Sequence, residues 1–175
     1  AEITDVANAV FDGTSAVMLS GETTIGVNPV RVVEVMAKIV EQAERDAFAM
    51  DMYHGMIYDA GLSDVTNAIC DAACRSAGDL HAKAVIAVTK SGDTARGVSK
   101  YRPIMPIVAA TPEIKTYHQL ALSWGVVPVH SIMQKDADAL FRHAVDCAKQ
   151  IDLVASGDIV VITSGIPVTI SGTTQ

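Results

Sequence analysis

The sequence predicts an α/β fold whose larger part is a doubly wound, mostly parallel sheet. Three observations carry this expectation. From about residue 63 onward, short apolar runs alternate with stretches of helical periodicity, the pattern of parallel strands joined by crossover helices. Apolar runs end in glycine- and hydroxyl-bearing loops that pass into helices, as in Val88-Thr89-Lys90-Ser91-Gly92-Asp93-Thr94. Half of the 175 residues are hydrophobic and only 19% are charged, enough apolar material for a buried sheet.

The elements follow in order. Glu2 to about Phe11 reads as a short helix with Val6, Ala9 and Val10 on one side, stopped by Gly13. Ala16–Leu19 reads as a short buried strand ending in Ser20-Gly21-Glu22-Thr23. Asn28-Pro29 is a helix start, because Asn accepts from free amides at the N-cap and Pro fits the first turn. Val32, Met36, Ile39, Val40 and Ala43 then recur at three- and four-residue steps, with charges opposite and Glu34–Lys38 and Glu41–Arg45 at i,i+4. Between about Phe48 and Gly61 the periodicity fails, and residues 49–61 read as a linker or interface segment, whose Met and Tyr side chains suit packing on a partner or, as the default, domain-joining contacts.

Beyond it the pattern predicts a helix over Ser63–Ala77 and a strand over Ala84–Val88. A helix over Thr94–Tyr101, a strand over Ile107–Ala110 and a helix over Glu113–Leu122 follow. A strand over Val126–Val129, a helix over Ala137–Lys149 and a strand over Ile159–Thr163 complete the series. Trp124 is expected to pack at a helix end. One helix, one strand and one helix cannot close a core, so residues 1 to about 48 read as the tail of a larger α/β structure. The halt after Ser171-Gly172-Thr173-Thr174 reads as an ending short of a last strand.

Composition excludes several functions. A net charge of −7 argues against nucleic acid, whose phosphates call for a basic face. No apolar run reaches the roughly 18 residues that cross a bilayer, and the acidic start is unlike a signal peptide. Three cysteines make no disulfide framework; Cys70 and Cys74 read as reduced thiols packed on a helix, which suits a reducing cytoplasm. Five scattered histidines show no metal-ligand spacing.

Two places invite chemistry. In Thr89-Lys90-Ser91-Gly92-Asp93-Thr94, amides, hydroxyls, a Lys and a helix N-terminus converge, which suits an anion. A plain strand-to-helix turn capped by Ser91 or Asp93 explains the same residues, and Asp93 would repel an anion beside it. The loops Ser164–Val168 and Ser171–Thr174, with Gly165 and Gly172, could close over the same ligand or be ordinary turns. The second place is the loop after Leu19, where Ser20 and Glu22 sit at a strand's carboxyl end.

Several of these strings together resemble pyruvate kinase. Asp5-Val6-Ala7-Asn8-Ala9-Val10, Asp12-Gly13 and Met18-Leu19-Ser20-Gly21-Glu22-Thr23 are similar to the last β/α units of its TIM barrel. Thr89-Lys90-Ser91-Gly92, Ser99-Lys100-Tyr101-Arg102-Pro103, Ala121 to Val129, Gly157 to Thr163 and Ser171-Gly172-Thr173-Thr174 are similar to its C-terminal domain. The resemblance runs in family order over essentially the whole chain. It implies residues 1–48 as the end of a (β/α)8 barrel, 49–61 as a linker, and 62–175 as the regulatory α/β domain lacking its last strand.

It further implies phosphoryl transfer from phosphoenolpyruvate to ADP, giving pyruvate and ATP in glycolysis, with Mg2+ or Mn2+ and often K+ in a cytoplasmic homo-tetramer. Ser20 and Glu22 would line the active site in supporting roles. The main catalytic residues and metal ligands would lie in the rest of a longer chain, so that no residue here binds metal and this chain alone is inactive. Thr89, Lys90, Ser91, Gly92, Thr94, Gly165 and Gly172 would hold the phosphate of an effector, a sugar phosphate or AMP. Asp93 stands where relatives switched on by a sugar bisphosphate often carry Arg or a neutral residue, so a monophosphate or no effector is equally compatible. A free-standing, non-catalytic phosphate-binding or oligomerisation module is the alternative.

Overall fold

The computed structural model describes residues 2–53, 65–132, 134 and 136–165. The chain divides into two compact units, Ala1–Ala60 and Gly61–Gln175. The rest of the expected linker, the start of the helix expected at Ser63, and Ile166 to Gln175 with Gly172 lie outside the described residues.

In the first unit α1 (Glu2–Phe11) packs on α3 (Pro29–Ala49), with the short α2 (Gly21–Thr24) between them in sequence. Helix α1 closes at Gly13: Thr14 N–H donates to the Ala9 carbonyl at 3.0 Å and Gly13 N–H to that of Val10 at 2.9 Å. Helix α3 opens as the sequence predicts, with the Asn28 side chain accepting from Arg31 N–H at 3.3 Å and Pro29 in the first turn. Its inward side is Val32, Val35, Met36, Ile39 and Val40, half-buried, and Ala43 and Ala47, buried. Of the expected ion pairs, Glu41–Arg45 forms at 3.8 Å, whereas Glu34 takes Arg31 at 3.1 Å. Tyr53 folds back as an anchor, its hydroxyl donating to the Val10 carbonyl at 3.2 Å and its ring meeting Phe48 edge-on.

The expected strand at Ala16–Leu19 is not formed. These residues carry no ladder bonds among the described residues, and Met18 is 84% exposed. A strand exists only by pairing with a neighbour, and the described elements of this unit are all helices. The apolar string is there without a partner to order it.

The second unit is the doubly wound sheet. Helix α4 (Val65–Asp79) leads to β1 (Ala84–Val88), followed by α5 (Asp93–Lys100), β2 (Ile107–Thr111), α6 (Ile114–Leu120), β3 (Val126–His130), α7 (Ala137–Gln150) and β4 (Val160–Ser164). All pairings are parallel, in the order β3-β2-β1-β4. Strand β1 is buried at every position, as a central parallel strand must be. Its residues alternate between two cores. Val85 and Ala87 meet Cys70, Ala77, Ala95 and Val98 of α4 and α5, while Ala84, Ile86 and Val88 meet Ala144, Cys147 and Ala148 of α7. Apart from the start expected at Ser63, the helix boundaries of this unit fall within about two residues of their expected places.

The thiols are structural. Cys70 and Cys74 of α4 donate to the Thr94 and Val98 carbonyls of α5, both at 3.8 Å, and burial pushes the Cys74 thiol up to about 12. The two helices approach closely at Gly97, where an added Cβ would stand 2.8 Å from Cys70 Sγ. Trp124 packs beside a helix end as expected, with the Arg102 guanidinium 4.6 Å above its ring. Gly97→Ala is expected to destabilise the chain by about 1–3 kcal/mol through overpacking, read by urea denaturation. Adding Cys70→Ala should return part of the loss.

Candidate functional site

The sheet order decides where a ligand site can form. From β1 the chain steps outward to β2 and β3, then crosses back to place β4 on the other side of β1. Crossovers keep one hand, so this reversal puts α7 on the face opposite α5. It also makes the carboxyl ends of β1 and β4 the switch point, the place where open α/β sheets bind ligands. The residues there are 89–92 after β1 and Gly165 after β4, and the strand ends pair at Val88 and Ser164.

The β1–α5 loop is built from its own side chains. Thr89, 7% exposed, accepts the Gly92 N–H on its Oγ1 at 2.9 Å, which folds the loop into a tight turn. Gly92 caps α5 with φ +91°, a conformation that a residue with a Cβ adopts at a cost. Ser91 Oγ donates to Asp93 Oδ2 at 2.6 Å. Arg96 Nη2 donates to Asp93 Oδ1 at 3.0 Å and to the Ser91 carbonyl at 2.8 Å. Lys90 Nζ lies 3.9 Å from Glu113 Oε1, and the Lys90 carbonyl accepts the Thr116 hydroxyl at 3.0 Å. The Ser91 hydroxyl and then the Arg96 guanidinium hold the Asp93 carboxyl below its usual range. The Asp93 contacts therefore persist above the ordinary carboxylate range and are lost as pH falls through the lowered value.

From the β4 side, a Cβ at Gly165 would stand 4.0 Å from Thr94 Oγ1. Thr89, Lys90, Ser91, Gly92, Thr94 and Gly165 are therefore gathered at one end of the sheet. The first-turn amides of Thr94 and Ala95 have no carbonyl of their own helix to bond. An anion meeting this corner would find amide donors, hydroxyls, a guanidinium and an ammonium. Sequence reasoning did not assign Arg96 or Glu113. Arg96 was signalled by its i,i+3 spacing from Asp93, whereas Glu113 reaches Lys90 only because β1 and β2 are neighbours.

Ser20 and Glu22 lie in the first unit and form a different arrangement. The Glu22 carboxylate turns back to accept Ser20 N–H at 3.0 Å, and the Thr23 and Thr24 hydroxyls donate to the Ser20 carbonyl at 3.2 and 3.1 Å. Backbone N–H groups of Glu22 and Ser20 lower the Glu22 carboxyl below its usual range. Both residues are exposed, so the pair presents an ionised carboxylate and a hydroxyl to solvent.

Comparison with known proteins places this architecture. The family model for the α/β domain of pyruvate kinase matches residues 67–175. The chain belongs to the pyruvate kinase family. The model for the pyruvate kinase barrel domain matches residues 1–33. A pyruvate kinase of Clostridium acetobutylicum is 42% identical over the whole chain, which covers 37% of that protein. One of Staphylococcus epidermidis is 44% identical over the whole chain, covering 30% of it. The chain thus spans about a third of the length of these pyruvate kinases. Among solved structures, a Cryptosporidium parvum pyruvate kinase is 37% identical with a TM-score of 0.85, over 94% of this chain and 34% of that one. The same organism's pyruvate kinase in complex with ADP is 38% identical, with a TM-score of 0.78 over 94% and 33% of the two chains.

Gly92→Ala is expected to lower stability by about 1–2 kcal/mol, since it forces a Cβ into the left-handed region. The added Cβ would also stand 2.7 Å from Arg96 Nη1. Thermal unfolding of the variant checks this.

Proposed function

We propose that this chain works as part of a pyruvate kinase, which transfers phosphoryl from phosphoenolpyruvate to ADP in the cytoplasm. The observation that carries the reading is the pair of family matches, barrel over 1–33 and α/β over 67–175, in the order of the relatives. On this reading residues 1–48 are the end of a (β/α)8 barrel, 49–61 a linker and 62–175 the effector-binding and assembly domain of a homo-tetramer. Ser20 and Glu22 orient water or a proton near the substrate. ADP, named for the Cryptosporidium parvum structure, is the second substrate in the whole enzyme.

On this reading the Mg2+ or Mn2+ and the K+ of the whole enzyme are held by the rest of a longer chain. Among the described residues no grouping of three or more His, Cys, Asp or Glu could hold a metal ion, and the Glu22 carboxylate is turned onto Ser20 N–H. A coupled pyruvate assay on the purified chain is expected to show no metal-dependent turnover; turnover would contradict the division of labour.

The second unit's task is to take the phosphate of an effector at the carboxyl ends of β1 and β4. Its ligands are Thr89, Lys90, Ser91, Gly92, Thr94 and Gly165, joined by Gly172 from outside the described residues. Support comes from the switch point, the Gly92 turn and the approach of Gly165 to Thr94. Calorimetric titration with a phosphomonoester should show saturable binding, weakened about tenfold or more in Lys90→Gln, which loses a charged contact. Equal binding by the variant would remove Lys90 from the site.

A further inference from the structure

We propose that the Asp93 carboxylate is an internal stand-in for the anion, and that an incoming phosphate must displace it to reach the Ser91 hydroxyl and the Arg96 guanidinium. The proposal rests on the reading of the β1–α5 loop as a phosphate site. The Asp93 side chain is 74% exposed, yet both of its oxygens are engaged within the loop. Oδ2 accepts the Ser91 hydroxyl at 2.6 Å and Oδ1 accepts Arg96 Nη2 at 3.0 Å. A hydroxyl and a guanidinium are the donors that a phosphate's oxygens take, and here a carboxylate already holds them.

The guanidinium is well placed for such an exchange. It is tied to the loop by its bond to the Ser91 carbonyl at 2.8 Å and lies against Gly92, so it stays in position when the carboxylate leaves. The loop's other cation is countered in the same way, Lys90 lying 3.9 Å from Glu113. Each basic side chain of the corner therefore faces a carboxylate of the same chain. Asp93 sits at the first position of α5, and a rotation about its own side-chain bonds carries its carboxylate out to solvent without moving the helix. Sequence alone makes Asp93 a repulsive neighbour; the geometry makes it a competitor whose removal leaves the donors in place.

The consequence is a site whose affinity is set by exchange between two anions. Isothermal titration of the 175-residue chain and of Asp93→Asn with inorganic phosphate tests it. Asn keeps the size and one accepting oxygen but removes the charge. The dissociation constant is expected to fall about tenfold, the scale of one charge-assisted hydrogen bond no longer contested. Glu113→Gln should give a smaller gain, because its contact to Lys90 is longer. Asp93→Ser serves as a second variant should Asn disturb folding, which circular dichroism reports. Binding to the unaltered chain with no gain, or a loss, in both Asp93 variants overturns the proposal and leaves the phosphate reading standing. Binding to none of these proteins overturns both.

Discussion

The pairing of β4 with β1 is the constraint on which the second unit depends. Strand β1 is buried on every residue, so it must have a neighbour on each side and a helical layer on each face. Its neighbour β2 follows directly in sequence, and β4 arrives only after the chain has crossed the sheet. That late arrival closes the second core through Ala144, Cys147 and Ala148 of α7. It also brings the carboxyl ends of the two strands together, making Gly165 a neighbour of Thr94. Fold and site come from one topological choice.

Local chemistry then shapes the corner that topology provides. The loop after β1 is held by a buried threonine hydroxyl on one side and an exposed Asp93–Arg96 pair on the other. The first fixes the backbone, since Thr89 is shielded and its bond to Gly92 N–H replaces one lost to water. The second is exposed, and ion pairs in water are worth little to stability. Its importance lies in which groups it occupies. On the proposed reading, stability and ligand competition fall to different side chains of one short loop.

Much of this was legible in the sequence. Strand β1 is a run of apolar residues between Lys83 and Thr89, and its bounds follow from that run alone. The Asn28-Pro29 start of α3 is equally plain, because capping is a local event. Ala16–Leu19 shows the limit: an apolar string signals a capacity to pair, whereas pairing belongs to two strands at once. At the candidate site the hydroxyls and glycines were visible as a cluster after β1. The i,i+3 spacing of Asp93 and Arg96 was visible too, whereas the role of Glu113 was not. Arg96 turns back over Gly92, and Glu113 is brought to Lys90 by the β1–β2 register. Side-chain pairings made by the fold have no signature along the chain.

The central claim is that the carboxyl ends of β1 and β4 form a single anion site. Amide NMR of the 15N-labelled chain, titrated with a phosphomonoester, tests it most directly. The account predicts saturable shifts at Thr89 to Ala95 and at Gly165 that follow one binding curve. Shifts confined to the β1 loop, with Gly165 unmoved, would contradict it, as would shifts centred on another part of the sheet.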